Sequence, residues 1–210
     1  MVRRIVVFLY VIGFVAVSGV ALAQDFSADV VQNKRGNQAP DKLYAAKGKV
    51  RWEPAERDPR MGSFALILNE RTDKSLVLIP DKHLYMDAMP GMTKPLITKF
   101  WTVDDVNDAC PQWKKVAEQL KTDQNWGSCS KVGSDTVNGR SAVKYEGVSK
   151  TGEKEYYWID TKLKCVIKTD HGSGSFELRN IQEGSQPASL FEVPVGYTKF
   201  DIGSMIQRPP

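Results

Sequence analysis

Few residues of this chain combine a reactive type with a spacing that could do chemistry. Its two histidines, His83 and His171, have no acid or cysteine neighbour at the spacing that nucleophilic or metal-assisted catalysis needs. Ser128 and Ser130 flank Cys129, but no G-x-S-x-G turn presents either as a nucleophile. Asp104 with Asp105, and Glu153 with Glu155, are carboxylate pairs of the kind that divide acid and base work. They fall at a helix approach and in a hairpin, where capping and solvation account for them. Gly172-Ser173-Gly174 lacks the following helix that would make it a phosphate cradle, and no paired Cys/His spacing supports a metal site. These residues predict no enzyme, no cofactor and no metal.

The three cysteines, Cys110, Cys129 and Cys165, carry a different message. In an oxidising compartment two should pair, and Cys110 and Cys129 are the closest in sequence and bracket one segment. Cys165 lies in Leu163-Lys164-Cys165-Val166-Ile167 and reads as a small buried apolar residue on a strand face. The compartment itself is written at the start. Arg3 and Arg4 precede the apolar run Ile5–Val17, and Ala21-Leu22-Ala23 ends the segment with small residues where a signal peptidase cuts. Residues 1–23 are expected to be a cleaved signal peptide, which leaves no membrane span and makes the chain periplasmic or secreted. Removing Arg3 and Arg4 from 29 basic residues leaves 27 against 25 acidic ones, a net charge of +2. With no dense basic block, nucleic acid is not an expected partner. Residues 24–210 are expected to form one domain and a monomer.

The elements that must position any site are mostly strands. Period-two alternation and turn residues mark about ten: Phe26–Gln32, Asp41–Trp52 with Gly48 inside it, Phe64–Asn69, Ser75–Ile79, His83–Met86, Val132–Val137, Ser141–Val148, Glu155–Ile159, Leu163–Thr169 and Phe176–Ile181. Their connections are too short for crossover helices, so the strands are antiparallel. One helix is expected over about 111–121, where Trp113, Val116, Ala117 and Leu120 make one apolar stripe. The predicted class is α+β, mostly antiparallel. Met86, Met89 and Met92, with Leu96, Ile97, Phe100 and Trp101, concentrate adaptable apolar groups in a segment without strand period. Such a segment reads either as ordinary core over the sheet or as a lid that repacks around ligands.

The order of features also resembles a family. Phe26–Val31, Lys47–Arg51, Leu78-Ile79-Pro80-Asp81-Lys82-His83-Leu84-Tyr85-Met86, Val132–Gly139 with Lys144-Tyr145, Leu178–Gly184 and Leu190–Tyr197 together resemble an uncharacterised family of exported bacterial domains. That family is similar to the LolA/LppX/RseB-like lipoprotein-carrier superfamily. The resemblance implies an unclosed antiparallel half-barrel with a helix as lid or plug over a concave apolar face. It implies binding of an amphiphile: a lipid, an acyl chain or a lipoprotein cargo. The alternative it implies is a sensor module for an envelope protein partner, with a filled core and no lipid. Alternation then selects Val50, Trp52, Phe64, Leu66, Leu68, Leu76, Leu78 and Trp158 as the cavity lining, with Met89 and Met92 in the lid. Arg51 reads as a solvated strand arginine.

Overall fold

Alternating apolar residues on short strands build one sheet. The computed structural model describes residues 25–33, 39–46, 48–69, 72, 75–88, 102–121, 125–172 and 174–200. The leader over 1–23, and Met89 and Met92 of the expected lid, lie outside the described residues. The strands are β1 (Phe26–Gln32), β2 (Asp41–Ala46), β3 (Lys49–Glu53), β4 (Ala65–Asn69), β5 (Leu76–Ile79) and β6 (Leu84–Asp87). The helix α1 (Ala109–Leu120) follows, then β7 (Trp126–Val137), β8 (Arg140–Ser149), β9 (Lys154–Asp160), β10 (Val166–Asp170), β11 (Ser175–Glu183) and β12 (Thr198–Lys199).

The sheet order is β12-β6-β5-β4-β3-β2-β1-β11-β10-β9-β8-β7, so two meanders are joined where β1 pairs with β11. All pairings are antiparallel except β12 with β6, and the end strands β12 and β7 do not meet. The expected unclosed α+β half-barrel is the fold observed, with twelve strands rather than ten. One extra strand arises because Asp41–Trp52 is a hairpin: the chain reverses at Gly48, whose φ of 77° suits a residue without Cβ. The other is β12. In addition, β7 starts at Trp126 rather than near Lys131, and bulges at Trp126/Ser128 and Lys131/Gly133 explain why its alternation is hard to read.

Cross-strand register sorts the side chains into two faces. On one face, here the inner, lies the row Leu43, Trp52, Leu66, Val77 and Met86, each paired with the next. Phe26, Ala45, Val50 and Leu68 form a second inner row. The outer face carries Tyr44, Arg51, Ile67 and Leu76, then Ala65, Leu78 and Tyr85. There the C-terminal segment closes over the sheet, burying Phe191 with Ala46, Ala65, Ile67 and Leu78. Arg51 is not a solvated strand arginine. It fastens this cover, its guanidinium donating to the Leu190 carbonyl (2.8 Å) and to Glu53 (2.6 Å).

Helix α1 covers the inner face at the β7–β9 end. Trp113 packs edge-on against Tyr145 (5.4 Å between ring centroids) and tilted against Tyr157 (5.1 Å). Val103, Ala109, Val143, Ile159 and Val166 complete that cluster. The Tyr145 hydroxyl accepts from the Ala109 N–H (3.3 Å) and donates to the Val106 carbonyl (2.9 Å), so a sheet residue satisfies one orphan donor at the helix start. The Asp108 side chain makes no capping bond there. The expected Cys110–Cys129 bridge forms and ties the helix to β7.

Beyond the helix, one ionic knot holds three strands. Arg140 on β8 donates to the buried carboxylate of Asp160 on β9 and to Glu183 on β11 (2.7 Å), and Lys162 also pairs with Glu183. Asp160 accepts in addition from the N–H groups of Lys162 and Leu163, both at 2.8 Å. Lys162 first, then Arg140, hold the Glu183 carboxyl below its ordinary range. That contribution to stability is present above about pH 4.5 and is lost as the pH falls through the depressed value. Arg140→Leu strands Asp160 as an unpaired buried charge and is expected to cost about 3–5 kcal/mol in urea unfolding. Adding Asp160→Asn should recover part of that loss. An Arg140→Leu chain as stable as the parent would contradict the role given to the knot.

The disulfide spans 19 residues, and closing a loop of that size contributes about 3 kcal/mol in the chain-entropy model. The Cys110→Ala/Cys129→Ala variant is therefore expected to melt roughly 5–10 °C lower by circular dichroism. An unchanged Tm would show that the helix docks without its tether.

Candidate functional site

The inner face is not filled everywhere. Between the β1–β4 meander and β10–β11 it leaves a cavity of about 300 Å³, at the lower end of the range for small-molecule sites. Period two and the paired registers bring its walls together: Leu43 and Ala45 from β2, Val50 and Trp52 from β3, Leu66 and Leu68 from β4. Phe26 and Val30 from β1 and Phe176 and Leu178 from β11 form the floor across the seam of the two meanders. Thr102, Cys165 and Val166 close one side, and Gln32 lies at the end of β1. A smaller cavity of about 250 Å³ lies between α1 and β7–β9, against Trp113, Val116, Trp126 and Tyr157.

Of the residues selected from sequence, Val50, Trp52, Leu66 and Leu68 all line the larger cavity. Phe64 stands just before β4 with its ring edge-on to Trp52 at 6.1 Å and does not itself line the cavity. Leu76 and Leu78 are placed otherwise: they pair with Ile67 and Ala65 and belong to the outer face beneath the C-terminal segment. Trp158 does not line the cavity, although it is buried in one cluster with Phe26, Val30 and Leu178. It is in register with Lys144 and Lys168, whose ammonium groups sit 4.8 and 4.7 Å from its ring, and its indole donates to Asp135 (2.7 Å). Sequence reasoning missed the contributions of β1, β2 and β11. The alternation of Phe26, Ala28 and Val30 signals a buried face, yet only the long-range β1–β11 pairing shows which face it is.

One buried polar group stands at the cavity's edge. Asp41, 3% exposed, accepts from the Trp52 indole N–H (3.1 Å), the Gln32 side-chain amide (3.3 Å) and the Ala55 backbone N–H (3.0 Å). The conformations of two lining residues thus depend on one carboxylate. The other candidate groups are elsewhere. His83 occupies a left-handed turn with its ring edge-on to Tyr197, and His171 folds back onto the Gly174 carbonyl. Among the described residues no group of three or more His, Cys, Asp or Glu could hold a metal ion.

Cys165 lines this cavity, and burial pushes its thiol up to about 12. Because only the thiolate reacts, iodoacetamide at about pH 8 is expected to alkylate it about a thousandfold more slowly in the folded chain than in urea. Mass spectrometry of timed samples reads this directly. Comparable rates in the two states would mean that the residue is open to solvent.

No family model and no curated protein matches the chain. Solved structures do match it by fold. An uncharacterized conserved protein from Thermus thermophilus aligns with a TM-score of 0.51 at 10% identity, over 85% of this chain and 91% of that one. The lipoprotein LppX from Mycobacterium tuberculosis aligns at 0.39 and 12% identity, over 78% of this chain and 86% of LppX. MucB from Pseudomonas aeruginosa, in complex with MucA, aligns at 0.37 and 14% identity. The alignment covers 80% of this chain and 55% of the MucB chain, so this chain spans about half of MucB's length. At these identities the likeness is one of fold alone.

Proposed function

We propose that this chain is an exported, non-enzymatic binder or carrier of an amphiphile, and that the apolar tail lies in the cavity between β1–β4 and β10–β11. The observation that carries this reading is the lining: fourteen described residues, of which only Gln32 and Thr102 are polar. Such a surface stabilises a ligand by removing methylenes from water, at about 0.8 kcal/mol each. A tail of about ten methylenes gains about 8 kcal/mol before the several kcal/mol that association costs. Affinity should therefore rise with chain length, and short acids should bind weakly or not at all. The cargo could be a free lipid or the acyl chains of a lipoprotein, since both present the same tail. The expected leader over 1–23 supports an envelope or secreted location for this work.

The sensor alternative calls for a filled inner face and an exposed apolar patch elsewhere. Among the described residues, the large exposed hydrophobics are Val132 and Val195, one on β7 and the other far away in the C-terminal segment. Two single residues do not make a docking patch, so the cavity favours the amphiphile.

Titration with the uncharged fluorescent probe N-phenyl-1-naphthylamine is expected to show saturable binding, reversed by long-chain lipids. Leu68→Glu places an unpaired carboxylate in the wall and should weaken probe binding about tenfold or more. Val195→Glu, on the exposed segment, should leave it unchanged. Absence of probe binding to the parent chain, or equal binding by Leu68→Glu, would overturn the proposal.

A further inference from the structure

The smaller cavity, between α1 and β7–β9, shares no described lining residue with the larger one and has a different chemistry. Register sets its walls. Cys129 on β7, Gly147 on β8 and Glu155 on β9 form one cross-strand row, and Tyr145 and Tyr157 follow in the next row on the same face. Trp126 enters from the start of β7, and Trp113 comes from α1, which the Cys110–Cys129 bridge ties to this wall. The side chains of Trp113, Trp126 and Tyr157 thus border one space of about 250 Å³. The Trp113 and Tyr157 rings, 5.1 Å apart, are tilted by 48° and make a corner rather than a stack.

The floor of this space is a glycine that the fold does not demand. Gly147 lies inside β8 without a left-handed φ. A Cβ there would meet the Tyr157 ring at 3.5 Å and the Glu155 carbonyl at 3.9 Å, both ordinary contacts. Glycine weakens a strand interior and often marks a place where a ligand approaches the backbone. Here its missing side chain opens the middle of the row between Cys129 and Glu155.

The rim is negative. Glu155 lines the cavity and accepts from the Tyr157 hydroxyl. Burial first, and then Glu155, push that hydroxyl above its ordinary range, so it keeps its proton and remains the donor. Lys154, the next residue of β9, lies on the opposite face and pairs with Glu146 (3.1 Å). Aromatic faces attract cations, and a nearby carboxylate adds to that attraction. A quaternary ammonium suits such a corner best, because its methyl groups pack on the rings while its charge meets the ring faces. A primary ammonium is strongly hydrated and gains less by leaving water.

We propose that the cavity between α1 and β7–β9 binds a quaternary ammonium group, with Trp113, Trp126 and Tyr157 as walls, Gly147 as floor and Glu155 as counter-charge. A free solute such as choline and the head of a phosphocholine lipid present the same group. The proposal does not depend on the amphiphile reading of the larger cavity.

Saturation-transfer NMR on the full chain reads the N-methyl signal of choline directly. Choline is expected to bind about tenfold more tightly than its uncharged isostere 3,3-dimethyl-1-butanol. Gly147→Val fills the floor with a good strand former, and should weaken choline about tenfold without lowering the Tm. Glu155→Gln, at an exposed position, removes the charge and should weaken choline about threefold. Dodecylphosphocholine below its micelle threshold separates the two sources. Displacement of choline at a tenfold lower concentration than free choline needs identifies a lipid head, and equal displacement identifies a free cation. Absence of choline binding, equal binding of choline and the isostere, or a folded Gly147→Val chain that binds choline like the parent would overturn the proposal. Should Gly147→Val fail to fold, the choline-to-isostere ratio and Glu155→Gln decide.

Discussion

Strands β2 to β5 carry apolar side chains on both faces, so each face of an open sheet must find its own cover. The outer face is covered by the chain's own C-terminal segment, which sets Phe191 on Ala65, Ile67 and Leu78 and is fastened by Arg51 at the Leu190 carbonyl. The inner face is covered in part by α1, whose Trp113 packs against Tyr145 and Tyr157. The helix lies over the β7–β9 end, and the cavity lies beside it, over β1–β4 and β10–β11. Among the described residues the apolar face is covered only in part, which is the arrangement that a binding site for an apolar tail requires.

The polar devices serve the same division. At one end of the sheet Arg140, Asp160 and Glu183 tie β8, β9 and β11 with every charge paired, which suits a buried ionic group. At the end of β1, Asp41 is buried among donors that include two cavity residues. The first arrangement holds strands together. The second orients two side chains of the cavity wall.

Much of the sheet was legible in the sequence, because period two and turn residues are local signals. Val50 and Trp52 alternate with the charged Lys49, Arg51 and Glu53, and they line the cavity together with Leu66 and Leu68. Leu76 and Leu78 escaped that logic. They belong to the unbroken run Leu76–Ile79, which has no polar partner to mark a face, and only the pairing with Ile67 and Ala65 shows which face they take. For Trp158 the local signal is also ambiguous, since Tyr156-Tyr157-Trp158 is aromatic on both faces and only pairing with Lys144 and Lys168 decides its side. The floor of the cavity depends on β1 meeting β11, about 150 residues away, as in the register of Val30 with Leu178. No local pattern contains that. Nor does any announce Asp41, which reads as an ordinary charged strand start until Trp52, Gln32 and the Ala55 N–H converge on it.

The central claim is that a long apolar tail occupies the face between β1–β4 and β10–β11. A fatty alcohol carrying a photoreactive diazirine near its tail end, irradiated with the full chain and mapped by peptide mass spectrometry, tests this most directly. The account predicts adducts on the peptides holding Phe26, Val50, Leu66 and Leu68, suppressed by excess unlabelled alcohol. Adducts confined to the outer-face cluster around Phe191, or spread over the surface without competition, would contradict it.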